Sequence, residues 1–125
     1  MPATAMNKDE EDHEFNVPYR EGMSTSALET PIVEALRTVF DPEIPVSIFD
    51  LGLIYDICIG EDGIVKIVMT LTAPSCPVAE VIPRWVQEAV GQVAGVKRVD
   101  IELVWEPFWK PEYMTEAARL MIGLM

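Results

Sequence analysis

The residues that could do chemistry gather around one cysteine, in the run Thr72-Ala73-Pro74-Ser75-Cys76-Pro77. A strand-like apolar pattern precedes this run, and apolar residues at helical spacing follow it from Val78 to Val93. A thiol at a helix N-terminus meets unpaired backbone N–H groups and the positive end of the helix dipole, and both favour the thiolate. The thiolate attacks electrophiles and binds metals. Cys76 is therefore a candidate reactive or ligating thiol, and the opposing interpretation is a small residue that fits a tight turn.

The other thiol and imidazole groups restrict what Cys76 can do. The chain has two cysteines, Cys58 and Cys76, and one histidine, His13. A closed zinc site takes four Cys or His ligands, which one chain cannot supply here. Cys58 lies in a strand pattern and is predicted to be buried and inert. Cys76 must therefore work with carboxylates, hydroxyls, backbone groups or a second protein.

Length and charge exclude several classes of function. At 125 residues the chain is predicted to form a single domain. The net charge of −12 argues against binding to nucleic acid or to an anionic membrane surface. No apolar segment approaches the ~18 residues of a membrane span, and the N-terminus lacks the pattern of a secretory signal. We therefore expect a cytoplasmic protein, where the reducing environment disfavours a structural disulfide.

The first part of the chain differs in composition from the rest. Residues 1–27 are polar and carry the acidic run Asp9-Glu10-Glu11-Asp12, so they are predicted to be a disordered acidic tail. Such a run is typical of a solvated segment, and an acidic docking arm for a basic partner is the alternative. The folded domain is predicted to span residues 28–125.

Within that domain the pattern predicts six elements in the order α-β-β-α-β-α. The first helix is expected to begin with Thr30 as N-cap and to end before Pro42. An Asp-Gly turn joins two antiparallel strands, and Pro83 makes the second helix either kink or begin near that residue. The other five elements are expected as follows: strands 54–59 and 64–71, a helix ending at Gly95, a strand 96–105, and a helix 116–122 capped by Thr115.

This order indicates an α+β fold. The strand–helix–strand passage through Cys76 is a crossover connection, which makes its two strands parallel. A small mixed three-stranded sheet with the helices packed on one face is therefore predicted. The stiff loop from Asp41 to Ser47 and the loop that carries Cys76 are the segments this scaffold has to position.

Four motifs, in order, resemble the SufT/PaaD-like family of iron–sulfur cluster assembly factors. They cover the chain from about residue 30 to its end, and their order and spacing make the resemblance specific. The motifs are Asp41–Pro45, Asp50–Tyr55, Thr72-x-x-x-Cys76-Pro77, and Val104–Trp109 followed by Met114–Arg119. The resemblance implies an accessory factor in cluster assembly or in the maturation of iron–sulfur proteins, with no established catalytic reaction.

The family's characteristic residues carry over as Asp41, Glu43, Thr72 and Cys76. Cys76 would be the ligating or reactive thiol, and thiolates suit iron–sulfur clusters. Asp41 and Glu43 would be ligands, supporting groups or a docking surface; turn chemistry before proline is the alternative for Asp41. Thr72 would satisfy backbone groups of its loop and secondarily contact a ligand. We expect the Asp41–Glu43 loop to form one surface with Cys76.

Two departures from the family pattern matter. Ala73 stands where some members have a second hydroxyl residue, which reduces any threonine pair to Thr72. The chain also lacks the cysteine-rich tail of PaaD-type proteins, which favours the SufT-like branch. An iron–sulfur cluster usually takes four protein ligands, so any cluster on Cys76 would be labile and shared between chains, in a homodimer or with a partner protein.

The expected partners are iron–sulfur carrier or scaffold proteins and client proteins. A cofactor-free adaptor is the alternative function, in which Phe108 and Trp109 of the proline-framed aromatic loop and the acidic surface dock these partners. Packing is the competing interpretation of these aromatic residues. A thiol enzyme is a third hypothesis, and it requires a base beside Cys76, for which the sequence offers only carboxylates.

Overall fold

The computed structural model describes residues 17–41, 44–72 and 81–123. Its helices and strands follow the predicted order and form an α+β fold with a three-stranded mixed sheet. The elements are α1 (Glu29–Leu36), β1 (Ile54–Ile59), β2 (Ile64–Met69), α2 (Val81–Gly91), β3 (Arg98–Leu103), a short 3-10 helix (Pro111–Tyr113) and α3 (Glu116–Met121).

Strand β2 is the centre of the sheet. It pairs antiparallel with β1 and parallel with β3, so the crossover predicted through the Cys76 segment is present. The Asp-Gly turn joins β1 to β2 with Gly63 at φ +86°, the left-handed conformation that favours glycine. The fold class and the element order predicted from sequence are therefore confirmed.

Alternation along β2 separates an apolar face from a polar one. Val65, Ile67 and Met69 are fully buried, whereas Lys66 between them is exposed. Helix α2 packs against β3 and against α1, and the buried face of each helix is apolar. The core formed in this way includes Ile32, Val33, Leu36, Ile57, Val65, Ile67, Met69, Ile82, Val86, Val90 and Val99.

Helix α1 is shorter than predicted, and Thr30 is not its N-cap. The helix begins at Glu29, so Thr30 already lies inside it, with its hydroxyl 3.3 Å from a Glu21 carboxylate oxygen. It ends at Leu36 because the Thr38 hydroxyl donates to the carbonyl of Ala35 (2.6 Å) and the chain turns there. Pro42 is therefore not what stops it.

The described part of helix α2 begins at Val81, two residues before Pro83, and residues 73–80 lie outside the described residues. The choice between a kink near Pro83 and a regular helix that begins near it therefore stays a prediction. The helix ends at Gly91, four residues before Gly95, whose φ is +97°. Strand β3 covers residues 98–103 and is shorter than the predicted 96–105. Thr115 caps α3 as predicted, accepting a hydrogen bond from the N–H of Ala118.

The folded part of the chain starts earlier than residue 28, and the tail boundary is corrected accordingly. Tyr19 is 2 % exposed, and its N–H donates to the carbonyl of Ile54 at 2.8 Å. Its hydroxyl donates to the buried carboxylate of Glu29 at 2.5 Å. That carboxylate also accepts from the N–H groups of Gly22 and Ser24, so it ties residues 19–24 to the start of α1. Residues 1–16 lie outside the described residues.

Candidate functional site

Asp41 lies at the start of the loop that the sequence singles out. Its side chain is buried, and Oδ1 accepts a hydrogen bond from the N–H of Ile44 at 3.2 Å. Its own N–H donates to the carbonyl of Val46 at 3.3 Å. Asp41 therefore holds the two ends of the loop together. Glu43, the second carboxylate of the prediction, lies outside the described residues.

Thr72 lies just beyond β2 and is exposed. The residue two positions earlier, Thr70, donates its N–H to the carbonyl of Leu53 at 2.9 Å. The pairing of β2 with the segment that leads into β1 therefore continues past Met69. Cys76 lies outside the described residues. Its place relative to Asp41 therefore stays a prediction.

A relay of backbone hydrogen bonds links the Asp41 loop to the end of β2. Ile48 donates to Val39 (2.8 Å), Leu53 donates to Ile48 (3.1 Å), and Thr70 donates to Leu53 (2.9 Å). Val39 and Ile48 enclose the Asp41 loop, and Thr70 precedes Thr72 by two residues. The segment that carries Asp41 and the strand end that leads to Thr72 are thus built on one hydrogen-bonded framework.

A shallow groove of about 280 Å³ opens beside this framework. It lies between the end of α1, the turn after the Asp41 loop, and α3, and its lining includes Arg37, Phe40, Val46, Asp50, Ala117 and Met121. Phe40 is 50 % exposed and Met121 is 66 % exposed at its rim. The lining is mostly apolar, and Arg37 and Asp50 supply its charges.

Asp50 is the polar centre of that groove. One carboxylate oxygen accepts from the Ser47 hydroxyl (3.0 Å), and the other lies 3.5 Å from Nε of Arg37. The Arg37 guanidinium also lies 5.0 Å from the centre of the Phe49 ring, a cation–π geometry. Sequence reasoning placed Asp50 in a motif without giving it a role and missed Arg37, because no local pattern indicates which lysine or arginine meets a loop carboxylate.

The two aromatic residues proposed as interface anchors differ in orientation. Trp109 is partly buried, and its indole N–H donates to the carbonyl of Leu51 at 2.6 Å. Phe108, next to it, is 67 % exposed. The Tyr55 hydroxyl donates to the carbonyl of Pro107 at 2.6 Å and fixes the same loop from the sheet side. Trp109 therefore anchors the loop to the domain, whereas Phe108 is presented to solvent.

Cys58 is exposed, so the prediction that it is buried was wrong. It lies on the polar face of the sheet, because it pairs with Lys66 and alternates with the buried Ile57. Its thiol donates to a carboxylate oxygen of Asp56 at 3.4 Å. Partial burial, followed by the negative charge and hydrogen bond of Asp56, raises the pKa of Cys58 and disfavours its thiolate. The Cys58 thiol is therefore still expected to react slowly, because its thiolate is disfavoured and not because the residue is fully buried.

The described ranges contain neither a group of three His, Cys, Asp or Glu side chains that could hold a metal ion nor a helix long and apolar enough to cross a membrane.

The chain matches the sequence profile of the iron–sulfur cluster assembly protein family over residues 29–103. This range includes the Asp41 loop, the Asp50 motif and the Cys76 segment. The protein belongs to that family. The resemblance carried by the four motifs, and the accessory role in iron–sulfur assembly that it implies, are thereby confirmed at the level of the family.

Relatives with curated functions are similar over most of their length. An Fe-S protein maturation auxiliary factor of Porphyromonas gingivalis is 52 % identical over 97 residues, which are 78 % of this chain and 92 % of that protein. YitW of Bacillus subtilis, which is also an Fe-S protein maturation auxiliary factor, is 40 % identical over 98 residues. These are 78 % of this chain and 96 % of that protein. A crystal structure of a domain of unknown function from Bacillus anthracis superposes with a TM-score of 0.74 at 34 % identity, covering 79 % of this chain and 94 % of that one.

Proposed function

We propose that this protein is an accessory factor for the maturation of iron–sulfur proteins in the cytoplasm and that Cys76 is its ligating or reactive thiol. Asp41, Glu43, Thr72 and Cys76 together form what we call the cargo site. The observation that carries the proposal is the backbone relay from Val39 through Ile48 and Leu53 to Thr70. This relay supports a common surface for the Asp41 loop and the segment that follows Thr72.

The cargo in this proposal is an iron–sulfur cluster or its components, held for a short time. One chain offers Cys76 as a thiolate ligand, since Cys58 lies on the polar face of the sheet with a raised pKa. A cluster usually takes four protein ligands. A second copy of the chain, a carrier protein or a client protein would supply the rest, so the bound cluster is labile and passes readily to its recipient.

Anaerobic reconstitution with iron and sulfide tests the thiol. The wild type, Cys76→Ser and the matched control Cys58→Ser are compared by absorbance, by iron and sulfide content, and by molecular mass. We expect a labile cluster in the wild type and in Cys58→Ser, and none in Cys76→Ser. The same three variants are tested in cells for the activity of an iron–sulfur client enzyme. Full client activity with Cys76→Ser would show that the cysteine-centred mechanism is wrong.

The orientation of Phe108 favours one second candidate, a cofactor-free adaptor that docks carrier and client proteins. An aromatic side chain that is 67 % exposed, on a loop fixed by Trp109 and Tyr55, is a suitable interface anchor. In this candidate Phe108→Ala weakens partner binding more than Cys76→Ser does. Leu120→Ala is the matched control, because Leu120 is exposed to a similar extent (60 %) and lies on a different element, α3. Equal effects of Phe108→Ala and Leu120→Ala would contradict the adaptor.

A further inference from the structure

Thr70 carries a buried hydroxyl without a hydrogen-bond partner. The residue is 0 % exposed, and its Oγ1 has no donor or acceptor within reach in the described structure. Most buried polar side-chain atoms in proteins have at least one partner, and a buried hydroxyl that is left unpaired is unfavourable. The other buried polar side chains among the described residues are Glu29, Asp41 and Ser47, and each of these is hydrogen-bonded.

Thr70 lies two residues before Thr72, a described residue of the cargo site. Along β2 and its continuation, Lys66, Val68, Thr70 and Thr72 alternate with the core residues and share one face of the chain. Val68 on that face is 4 % exposed, so the surroundings accept a β-branched apolar side chain. Valine has nearly the shape of threonine and would fill position 70 without an unpaired hydroxyl. The structure of the free protein gives no stabilising role to the hydroxyl.

We infer that Thr70 is a positioning residue of the cargo site, whose hydroxyl is hydrogen-bonded when the site is occupied. This inference rests on the proposed function. Thiolate, sulfide and carbonyl groups are hydrogen-bond acceptors, and the Thr70 hydroxyl is a donor that suits any of them. Because the hydroxyl is unpaired in the free protein, making this bond favours the occupied state and couples cargo binding to the end of β2.

Two substitutions separate this role from packing. Thr70→Val removes the hydroxyl and keeps the shape, and Thr70→Ser keeps the hydroxyl and removes a methyl group. Thr38→Val is the control, since the Thr38 hydroxyl is exposed and already donates to Ala35. The urea midpoint of the free protein, the iron retained after anaerobic reconstitution, and client-enzyme activity in cells are measured for each variant.

We expect Thr70→Val to keep or raise the urea midpoint while iron retention and client activity fall by about tenfold. Thr70→Ser should lower the midpoint and keep both functional readouts within about twofold. Thr38→Val should leave function unchanged. A packing role alone would give the opposite ranking of the two Thr70 variants.

The inference is overturned if Thr70→Val keeps full function. It is also overturned if Thr70→Val lowers the midpoint, because the hydroxyl would then be bonded in the free protein, for example through a buried water. Cys76→Ser in the same assays separates this inference from the proposed function. Full activity of Cys76→Ser with loss in Thr70→Val would refute the role of the thiol and keep Thr70 in the working site. Loss of activity in Cys76→Ser, with full activity of Thr70→Val, would support the role of the thiol and refute the role of Thr70.

Discussion

The backbone N–H of Thr115 donates a hydrogen bond to the carbonyl oxygen of Asp50, at a distance of 2.9 Å. The Thr115 hydroxyl also lies 3.4 Å from Oδ1 of Asp50 and accepts from the N–H of Ala118 at the start of α3. Two of the four motifs behind the family resemblance therefore contact each other directly. Part of that resemblance reflects how the C-terminal segment docks on the domain, separately from any chemistry at Cys76.

Gly52 lies directly against Tyr113 in this docking. Its φ is +84°, and a Cβ at this position would lie 2.7 Å from the Cβ of Tyr113 and would also collide with the Tyr113 carbonyl oxygen. We expect Gly52→Ala to lower the free energy of unfolding by about 3 kcal/mol or more, since strain and overpacking add. Urea unfolding followed by tryptophan fluorescence measures this change.

Gly91→Ala is the control for Gly52→Ala. Gly91 is the last residue of α2, and a Cβ there meets no atom within 4 Å. This substitution should leave stability unchanged or raise it by up to about 1 kcal/mol. If Gly52→Ala were as well tolerated as Gly91→Ala, the close packing of Tyr113 on the Asp50 motif would be wrong.

The sheet could be predicted from sequence because alternation, the Asp-Gly turn and the crossover are local or short-range signals. The same alternation, applied to position 58, places Cys58 on the face of Asp56 and away from Ile57, and its burial was predicted wrongly because the residue type outweighed the pattern. Tyr19 falls within the predicted tail because residues 1–27 are polar and charged overall, and the short run from Phe15 to Tyr19 is not enough to change that prediction. Its partners, Ile54 and Glu29, lie 35 and 10 residues away and leave no local signal.

The residues of the candidate site stay a prediction, and the sequence says little about their surroundings. Motifs single out Asp41 and Thr72, but they give no sign that Asp41 closes its own loop through Ile44 and Val46. Thr70 was read as part of a strand, since nothing in the sequence shows that a hydroxyl will be buried without a partner. Motifs thus identify residue types that can do chemistry, whereas the burial and hydrogen bonding of each side chain depend on long-range packing.

The buried carboxylate of Glu29 makes stability depend on acid. Burial by itself raises the pKa of Glu29, but the hydrogen bonds from Tyr19, Gly22, Ser24 and Met23 outweigh burial and hold it below its ordinary value of 4.5. A lowered pKa contributes stability above pH 4.5 that is lost as the pH falls through the folded-state value. We expect Glu29→Gln to lower the free energy of unfolding at pH 7 by about 2 kcal/mol and to flatten its decline below pH 5.

Urea unfolding of the wild type and Glu29→Gln from pH 7 to pH 3 measures this dependence. Glu34→Gln is the matched control, because Glu34 lies on the exposed side of the same helix. Parallel stability curves for Glu29→Gln and the wild type would contradict the assignment of the acid dependence to Glu29.

Two buried tyrosines make stability depend on alkali. Burial raises the pKa of Tyr19 above its ordinary value of 10.0, and the hydrogen bond and charge of Glu29 raise it further. Burial, followed by the nearby Tyr113, does the same for Tyr55. A raised pKa contributes stability that is complete below pH 10 and is lost as the pH rises above it, because the unfolded chain ionises first.

The double variant Tyr19→Phe/Tyr55→Phe should therefore lose less stability than the wild type between pH 9 and pH 11. At pH 7 each single substitution removes one hydroxyl hydrogen bond, to Glu29 or to the Pro107 carbonyl, and should cost about 1 kcal/mol. Thermal unfolding across this range provides the measurement. An equally steep alkaline loss in the double variant would show that other groups cause it.

Cys58 gives the last prediction, because its exposed thiol competes with Cys76 in any labelling experiment. In a Cys76→Ser background it is the one remaining thiol. Burial and then Asp56 raise its pKa, whereas the charge of Lys66 lowers it. Alkylation by iodoacetamide at pH 8 should be slower than that of free cysteine, because less thiolate is present. Asp56→Asn should accelerate alkylation about threefold or more, and Lys66→Met should slow it.

Changes in the same direction for both variants would show that altered access to the thiol, and not its local charges, controls the rate. With the predicted pattern, rapid alkylation of the wild type would report on Cys76 and not on Cys58.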